Sequence, residues 1–366
     1  MKHLKKFSSD TDRIAYESGS DYIEPYVSLV SEDSSVHYKR LPPNYLRFTA
    51  LEDDSELRLK KWDDNEGVEL TPTVNIEYSY DGYNFIAYDF NEIVFSEGET
   101  VYLRGNNPNG FSSYDDNNDD YTWHHFTTPE GSFECHGNIM SLLYGADFDT
   151  SPNALVIPNS GCFFSLFYDS NTDSGCNIIC APELPATELS YDCYGSMFYN
   201  CTNIEKAPVL PATTLADNCY GYMFSSCTNL TTAPELPATT LAEYCYSQMF
   251  NGCTSLTTAP ELTATTLTEG CYSNMFYGCT NLTSAPELPA TTLAQGCYVY
   301  MFKGCTSLNY IKCLATDISA SNCTKDWVDN VAATGTFTKH PSMNNWTTGD
   351  SGIPVGWTAT DAFEIK

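Results

Sequence analysis

Between about residues 180 and 313 the chain repeats itself every 26 residues, and no other feature constrains its fold as strongly. The unit reads AP-E-LPATTLA-xx-CY-xx-MF-xx-CT-x-L. Its first cysteines are Cys193, Cys219, Cys245, Cys271 and Cys297. Its Met-Phe pairs are Met197 and Phe198, Met223 and Phe224, Met249 and Phe250, Met275 and Phe276, and Met301 and Phe302. Its closing cysteines are Cys201, Cys227, Cys253, Cys279 and Cys305. A fixed period in this range marks a solenoid, in which each unit buries its apolar face against its neighbours. Solenoids commonly act as display surfaces, so recognition is expected rather than chemistry.

Within one unit, Leu241, Cys245, Met249 and Cys253 recur at every fourth position, with Tyr246 and Phe250 one step round. That pattern predicts one apolar stripe on a short helix, which Gly252 helps to stop. The following CTSLTTAPEL is Thr-rich and holds Pro260, so it is expected to be extended. Leu256 and Leu262 lie an even number of residues apart and can both point inward. A proline in every copy (Pro182, Pro208, Pro234, Pro260, Pro286) removes a backbone donor, so the parallel strands must be very short. Stacking these units predicts a right-handed solenoid over 138–313.

The ends of the array are degenerate, as capping units are. Cys162-Phe163 and Leu166-Phe167 imitate the repeat upstream, and Ile139 to Tyr144 is a weaker echo. Downstream, 314–366 reads as a cap: a helical CTKDWVDNVA, a strand TGTFTK and a terminal turn and strand SGIPVGWT. Trp327, Trp346 and Trp357 are expected to seal the last core face. Upstream, 44–137 reads as all-β, with LRFTAL, ELRLKKW, VNIEYSYDG, NFIAYDF and TVYLRGN as short strands separated by Asp, Gly and Asn turns. Tyr80-Asp81-Gly82 resembles a hairpin turn. A β-sandwich is expected there. Residues 1–43 read as a small attachment segment, with a helix over Ser9 to Glu17 and a hairpin over Tyr22 to Arg40. The fold class is thus α+β: a β-sandwich, then a solenoid of strand/short-helix units, then a cap.

The formal charge is −30. Such a chain repels phosphate backbones and anionic lipid, so nucleic acid is a poor partner. No run approaches the ~20 apolar residues of a membrane helix, so membrane insertion is not expected. The N-terminus MKHLKKFSSDTD lacks the apolar stretch of a signal peptide. Ten of the repeat's cysteines share its period, and Cys245 and Cys253 would lie ~12 Å apart along a helix. That is too far for a bridge, and buried free thiols are expected.

The unit CTSL-TxAPELPATTL-xx-CYxxMFxGC resembles the BspA-type leucine-rich repeats of gut Bacteroidales surface proteins and of phages that infect those bacteria. The resemblance covers about residues 138 to 360 and holds through five consecutive copies. The preceding FTAL, EYSYDG and VYLRGN resemble the domain that often precedes such repeats. The opening MKHLKKF…YVSLV…SSVHY is similar to an N-terminal segment of varied proteins of those phages. The resemblance implies adhesion without catalysis. With no signal peptide in view, it implies a virion protein, tail- or capsid-associated, held to other virion proteins by its N-terminal region. Its solenoid would bind a host-surface glycan or protein. A bacterial cell-surface adhesin is the alternative, and a degradative enzyme in the β region a remote third. Oligomers are compatible with either reading.

No motif nominates a catalytic residue or a cofactor. A line of sulfurs spread along a solenoid does not converge on one point as thiolate metal sites require. Asp115, Asp116, Asp119 and Asp120 form an acidic loop that calcium could favour, but it lacks the spacing of an EF-hand and defaults to a solvated loop. His124 and His125 point opposite ways on a strand. The best ligand-binding candidates are variable positions expected to be exposed. After each Cys-Tyr these are Gly195 and Ser196, Gly221 and Tyr222, Ser247 and Gln248, Ser273 and Asn274, and Val299 and Tyr300. After each Met-Phe they are Tyr199, Ser225, Asn251, Tyr277 and Lys303. Tyr199, Tyr222, Gln248, Asn274, Tyr277, Tyr300 and Lys303 suit a paratope-like surface best. A row of Glu183, Glu235, Glu261 and Glu287, broken by Val209, forms a second stripe.

Overall fold

A computed structural model describes residues 26–30, 36–40, 42–64, 66–115, 120–168 and 176–362. The chain forms two compact units, Met1–Asn44 and Tyr45–Lys366. In the first, β1 (Tyr26–Val30) and β2 (Val36–Arg40) pair antiparallel, with Tyr26 opposite Arg40. The helix expected over Ser9 to Glu17 lies outside the described residues.

The second unit opens with strands β3 (Leu46–Ala50), β4 (Ser55–Asp63), β5 (Val68–Leu70), β6 (Ile76–Ser79) and β7 (Ile86–Ala87). Strands β8 (Ile93–Phe95), β9 (Thr100–Gly105), β10 (Ser113–Asp115), β11 (Asp120–Thr127) and β12 (Phe133–His136) follow. Their alternation sets the inward face: Leu46, Phe48, Ala50, Leu57 and Leu59 are all buried. One sheet has the order β10-β11-β4-β5, with β8 also on β4. The other runs β13-β12-β3-β9-β6-β7, where β13 is Ile178–Cys180. The two sheets share a core in which Phe48 meets Phe126 at 5.1 Å and Phe95 meets Phe133 at 5.1 Å between ring centroids. Between β6 and β7 the Asp81 carboxylate accepts from the backbone of Tyr83 and Asn84. These bonds hold its pKa well below the usual carboxylate range.

The C-terminal region is a β-solenoid, and the molecule is mostly sheet. Among the described residues, regular helix is confined to α1 (Ser141–Tyr144) and a 3-10 turn at Gly145–Asp147. The expected short helices of the repeat are therefore corrected: each CY-xx-MF segment is a ribbon of turns. Its N–H groups alternate. Gly221, Met223, Ser225 and Cys227 donate three residues back, to Asn218, Tyr220, Tyr222 and Phe224. Tyr222, Phe224 and Ser226 instead donate to Ser247, Met249 and Asn251 of the next coil. An α-helix would spend every N–H internally; this ribbon spends half on its neighbour. One residue in four takes a left-handed φ, as at Asn218 (55°), Tyr222 (57°) and Ser226 (63°). Gly252 (73°) occupies the same place as Ser226 and continues the ribbon instead of stopping a helix. CTKDWVDNVA is likewise turns, with Asp326 and Asn330 left-handed, as is Asn322 just before it.

The reason lies in the repeat's spacing. Steps of four residues advance about 40° too far for a 3.6-residue helix, so a long stripe would drift round it. A four-residue ribbon keeps Cys, Met and Cys in register. The extended segments stay short where proline intervenes, and single bridges join Lys206 to Thr232 and Thr232 to Thr258. Full strands appear toward the C-terminus, where β14 (Ser284–Leu288), β15 (Tyr310–Cys313), β16 (Thr336–Lys339) and β17 (Thr358–Asp361) pair in parallel. The β14–β15 register shifts between Ser284 and Glu287, around Pro286.

The interior holds two aromatic columns. Tyr194, Tyr220, Tyr246, Tyr272 and Tyr298 stack in one, with Tyr220 and Tyr246 5.8 Å apart and 10° from parallel. Phe167, Phe198, Phe224, Phe250, Phe276 and Phe302 stack in the other. Both end on Trp327, which stacks on Trp346 at 5.7 Å. Trp357 Nε1 donates to the Ala332 carbonyl. At the other end Phe167 touches Phe126 of β11 at 5.8 Å, so sheet core and solenoid core are continuous. The repeat's Cys, Met and Phe side chains are all buried. All sixteen cysteines are free thiols. The closing cysteines also tie successive coils together. Cys227, Cys253 and Cys279 donate Sγ–H to the carbonyls of Phe198, Phe224 and Phe250 in the preceding coil, each at 3.0 Å.

Candidate functional site

The face of the sheet around β4 and β11 looks onto the first coils of the solenoid, and a cleft of about 820 Å³ lies between them. Strand alternation puts Trp123, His125 and Thr127 of β11 on one side of the sheet. The antiparallel register places Trp62 opposite Trp123 and Lys60 opposite His125. Glu69 of β5 sits opposite Trp62 and binds Lys60 at 3.0 Å. The facing wall is built by the turn ribbon: Phe164 and Tyr168 from the first coil, Tyr199 from the next, and Tyr222 from the one after. Tyr168 and Tyr199 stack at 5.3 Å. Trp62 and Trp123 lie 6.3 Å apart, and Trp123 meets Phe164 edge-on at 5.6 Å.

A part-buried contact joins the two walls. Tyr121 of β11 stacks on Phe164 at 4.2 Å and donates its hydroxyl to Asp192 Oδ2 at 2.5 Å. Burial pushes the Asp192 carboxyl up to about 7, against the pull of that hydrogen bond. Gly195 makes room: a Cβ there would stand 1.8 Å from Asp192 Oδ1. Burial, and then Lys60, push His125 down to about 4, so its imidazole is neutral at pH 7. Three buried polar atoms of cleft-lining residues, Trp123 Nε1, His125 Nδ1 and Thr127 Oγ1, have no partner within the protein. Such orphans are rare in native folds and call for an explanation.

Of the residues singled out in the sequence, the structure brings Tyr199 and Tyr222 into this cleft. Gln248 adjoins it, donating Nε2–H to the Tyr222 hydroxyl. Asn274 is engaged locally with Ser273 Oγ at 3.0 Å. Tyr277 is exposed farther along. Tyr300 and Lys303 lie at the far end, where Lys303 Nζ is 5.2 Å from the Tyr300 ring and 2.9 Å from Asp329 Oδ2. Tyr222, Gln248, Asn274 and Tyr300 form one column, at φ of 57°, 57°, 54° and 53°.

Other expected exposures are corrected. Gly195, Gly221, Ser247 and Ser225 are buried, because the ribbon turns those positions under the coil edge. Asp115 pairs with Asp120 across the β10–β11 hairpin, while Asp116 and Asp119 lie outside the described residues. His124 turns to the opposite face from His125, where its Nε2 accepts from the Thr73 N–H. Val209 is exposed within the Glu stripe, and Glu287 pairs with Lys312 at 2.8 Å.

Sequence reasoning missed Trp62, Trp123 and Thr127. The available signal was two tryptophans at outward positions of alternating strands. Among the described residues no group of three His, Cys, Asp or Glu is placed to hold a metal ion. No helix among them is long and apolar enough to cross a membrane. Comparison with protein-family models, with curated proteins and with solved structures finds no match.

Proposed function

We propose that the protein is a non-enzymatic attachment protein that engages a host-surface glycan or protein. One observation carries this reading: the column of Tyr222, Gln248, Asn274 and Tyr300 along the solenoid leads into an aromatic-walled cleft of about 820 Å³, which Tyr222 itself lines. Clefts of this size and lining are the usual form of ligand sites. The tyrosines and amides along the column supply contact area and adaptable hydrogen bonds. The resemblance of the repeat to BspA-type units supports attachment as the role. The resemblance of the N-terminal segment favours a virion component of a phage of gut Bacteroidales, with the β region as a sandwich-like platform. The N-terminal region would then join the protein to other virion proteins. The charge of −30 speaks against nucleic acid and anionic lipid as partners.

Two measurements test this. Fluorescently labelled protein should bind cells of the phage's host strain saturably, and no binding to any permissive strain ends the attachment reading. The protein should also be found by mass spectrometry in purified particles, and its absence there ends the virion assignment.

A further inference from the structure

We infer that the cleft between the β4–β11 face and the first coils of the solenoid is a subsite for a neutral oligosaccharide, held between Trp62 and Trp123 on one wall and Tyr199 and Tyr222 on the other. The inference rests on the attachment reading above and names the ligand class of that site.

Three features of the cleft select this class. The first is shape. A pyranose ring has an apolar C–H face and a rim of hydroxyls, and the cleft offers aromatic faces with polar atoms beside them. Its volume of about 820 Å³ suits an oligosaccharide of about two or three rings. The second is the polar lining. Ser196, Tyr199 and Tyr222 put hydroxyls on the solenoid wall, and each can donate or accept. A sugar hydroxyl does both as well, so one ligand class matches them all, whereas a purely apolar ligand does not. The third is charge. Lys60 is committed to Glu69, Asp64 adds a negative charge to the rim, and the whole chain is strongly acidic, so uronates, sialates and phosphorylated glycans are disfavoured.

An extended peptide is the competing occupant. Peptides that bind sheets add to an unpaired strand edge. Here β4 and β11 pair with each other and, on their other edges, with β5 and β10. Beyond β10 the edge of β11 is already taken, with the His124 N–H donating to Ser112 Oγ and the Phe126 N–H to the Leu166 carbonyl, so the cleft presents a sheet face.

The test is a panel of neutral trisaccharides (gluco-, xylo-, manno-, galacto- and N-acetylglucosamine series) titrated into the full-length protein. Tryptophan fluorescence and calorimetry are read together, with trigalacturonate as the anionic control. At least one neutral member should bind and perturb the tryptophan emission. Trp123→Ala and Trp62→Ala should each weaken it at least tenfold, and Tyr222→Ala, an exposed position safe for folding, severalfold. Val209→Ser, on the Glu stripe, should bind as wild type. The inference is overturned if no neutral member binds, if trigalacturonate binds better, or if Tyr222→Ala and the tryptophan variants bind as wild type. Host-cell binding separates the two claims. Cell binding that survives Trp62→Ala and Trp123→Ala leaves attachment standing and removes the cleft from it. Trisaccharide binding without cell binding does the reverse.

Discussion

Asp192 shows how one residue can couple two parts of the fold. It sits at a left-handed φ of 49°, is 7 % exposed, and accepts the Tyr121 hydroxyl. Its carboxyl titrates near 7 when folded, against 3.8 for an unperturbed Asp. Between those values the native state keeps a proton that the unfolded chain has released, so this group destabilises the fold as pH rises. His124 and His125, both pushed down to about 4 by burial, act oppositely. Between about 4 and 6.5 the unfolded chain protonates them and the native state does not, so they add stability as pH rises. Asp192→Asn keeps an acceptor for Tyr121 and suits the left-handed backbone. Its stability relative to wild type should therefore grow from pH 4 to pH 7.5, by at most about 4 kcal/mol. Urea midpoints at the two pH values check this, and a constant offset would refute the assignment.

At the scale of the element, the repeat's turn ribbon explains both the success and the error of the sequence reading. The four-residue stripe correctly marks which side chains go inside, because helix and ribbon both bring every fourth residue to one face. The choice between them depends on where the N–H groups go, and the sequence of one unit does not contain its neighbour. The trace it leaves is at the left-handed positions, where Asp192, Asn200, Asn218, Gly252, Gly270, Gly278, Gly296 and Gly304 recur. Gln248 occupies such a position without the tolerance of Gly or Asn. Gln248→Gly should thus raise stability by about 0.5–1 kcal/mol, while Gln248→Val should lower it by about 1–2 kcal/mol. Thermal melts of the two variants would show opposite shifts. A helix at this segment would reverse the sign for glycine.

At the largest scale, the core of the unit Tyr45–Lys366 runs from coil to coil as a line. Phe126 leads to Phe167, and the two aromatic columns carry the packing to Trp327 and Trp346. In such a chain each coil is supported by its two neighbours. Phe250 is fully buried mid-column, so Phe250→Ala should cost about 3–5 kcal/mol. It should also divide unfolding into two steps, with Trp62 and Trp123 reporting one side and Trp327 and Trp346 the other. A single cooperative transition at both reporters would show that the halves remain coupled. The candidate site belongs to this scale too. Tyr199 and Tyr222 were legible as outward positions of the period, but Trp62, Trp123 and Thr127 lie on strands about 70 to 160 residues away from them in sequence.

The period, read alone, determined that the Cys, Met, Phe and Tyr of each unit face inward and that successive units stack. Side-chain spacing reports burial directly, because every copy must bury the same face. Only the tertiary structure decided that the units are turn ribbons, that Gly195, Gly221, Ser225 and Ser247 are hidden, and that the sheet overhangs the first coils to make a cleft. Those outcomes rest on hydrogen bonds and contacts between segments far apart in the chain, which no local pattern encodes.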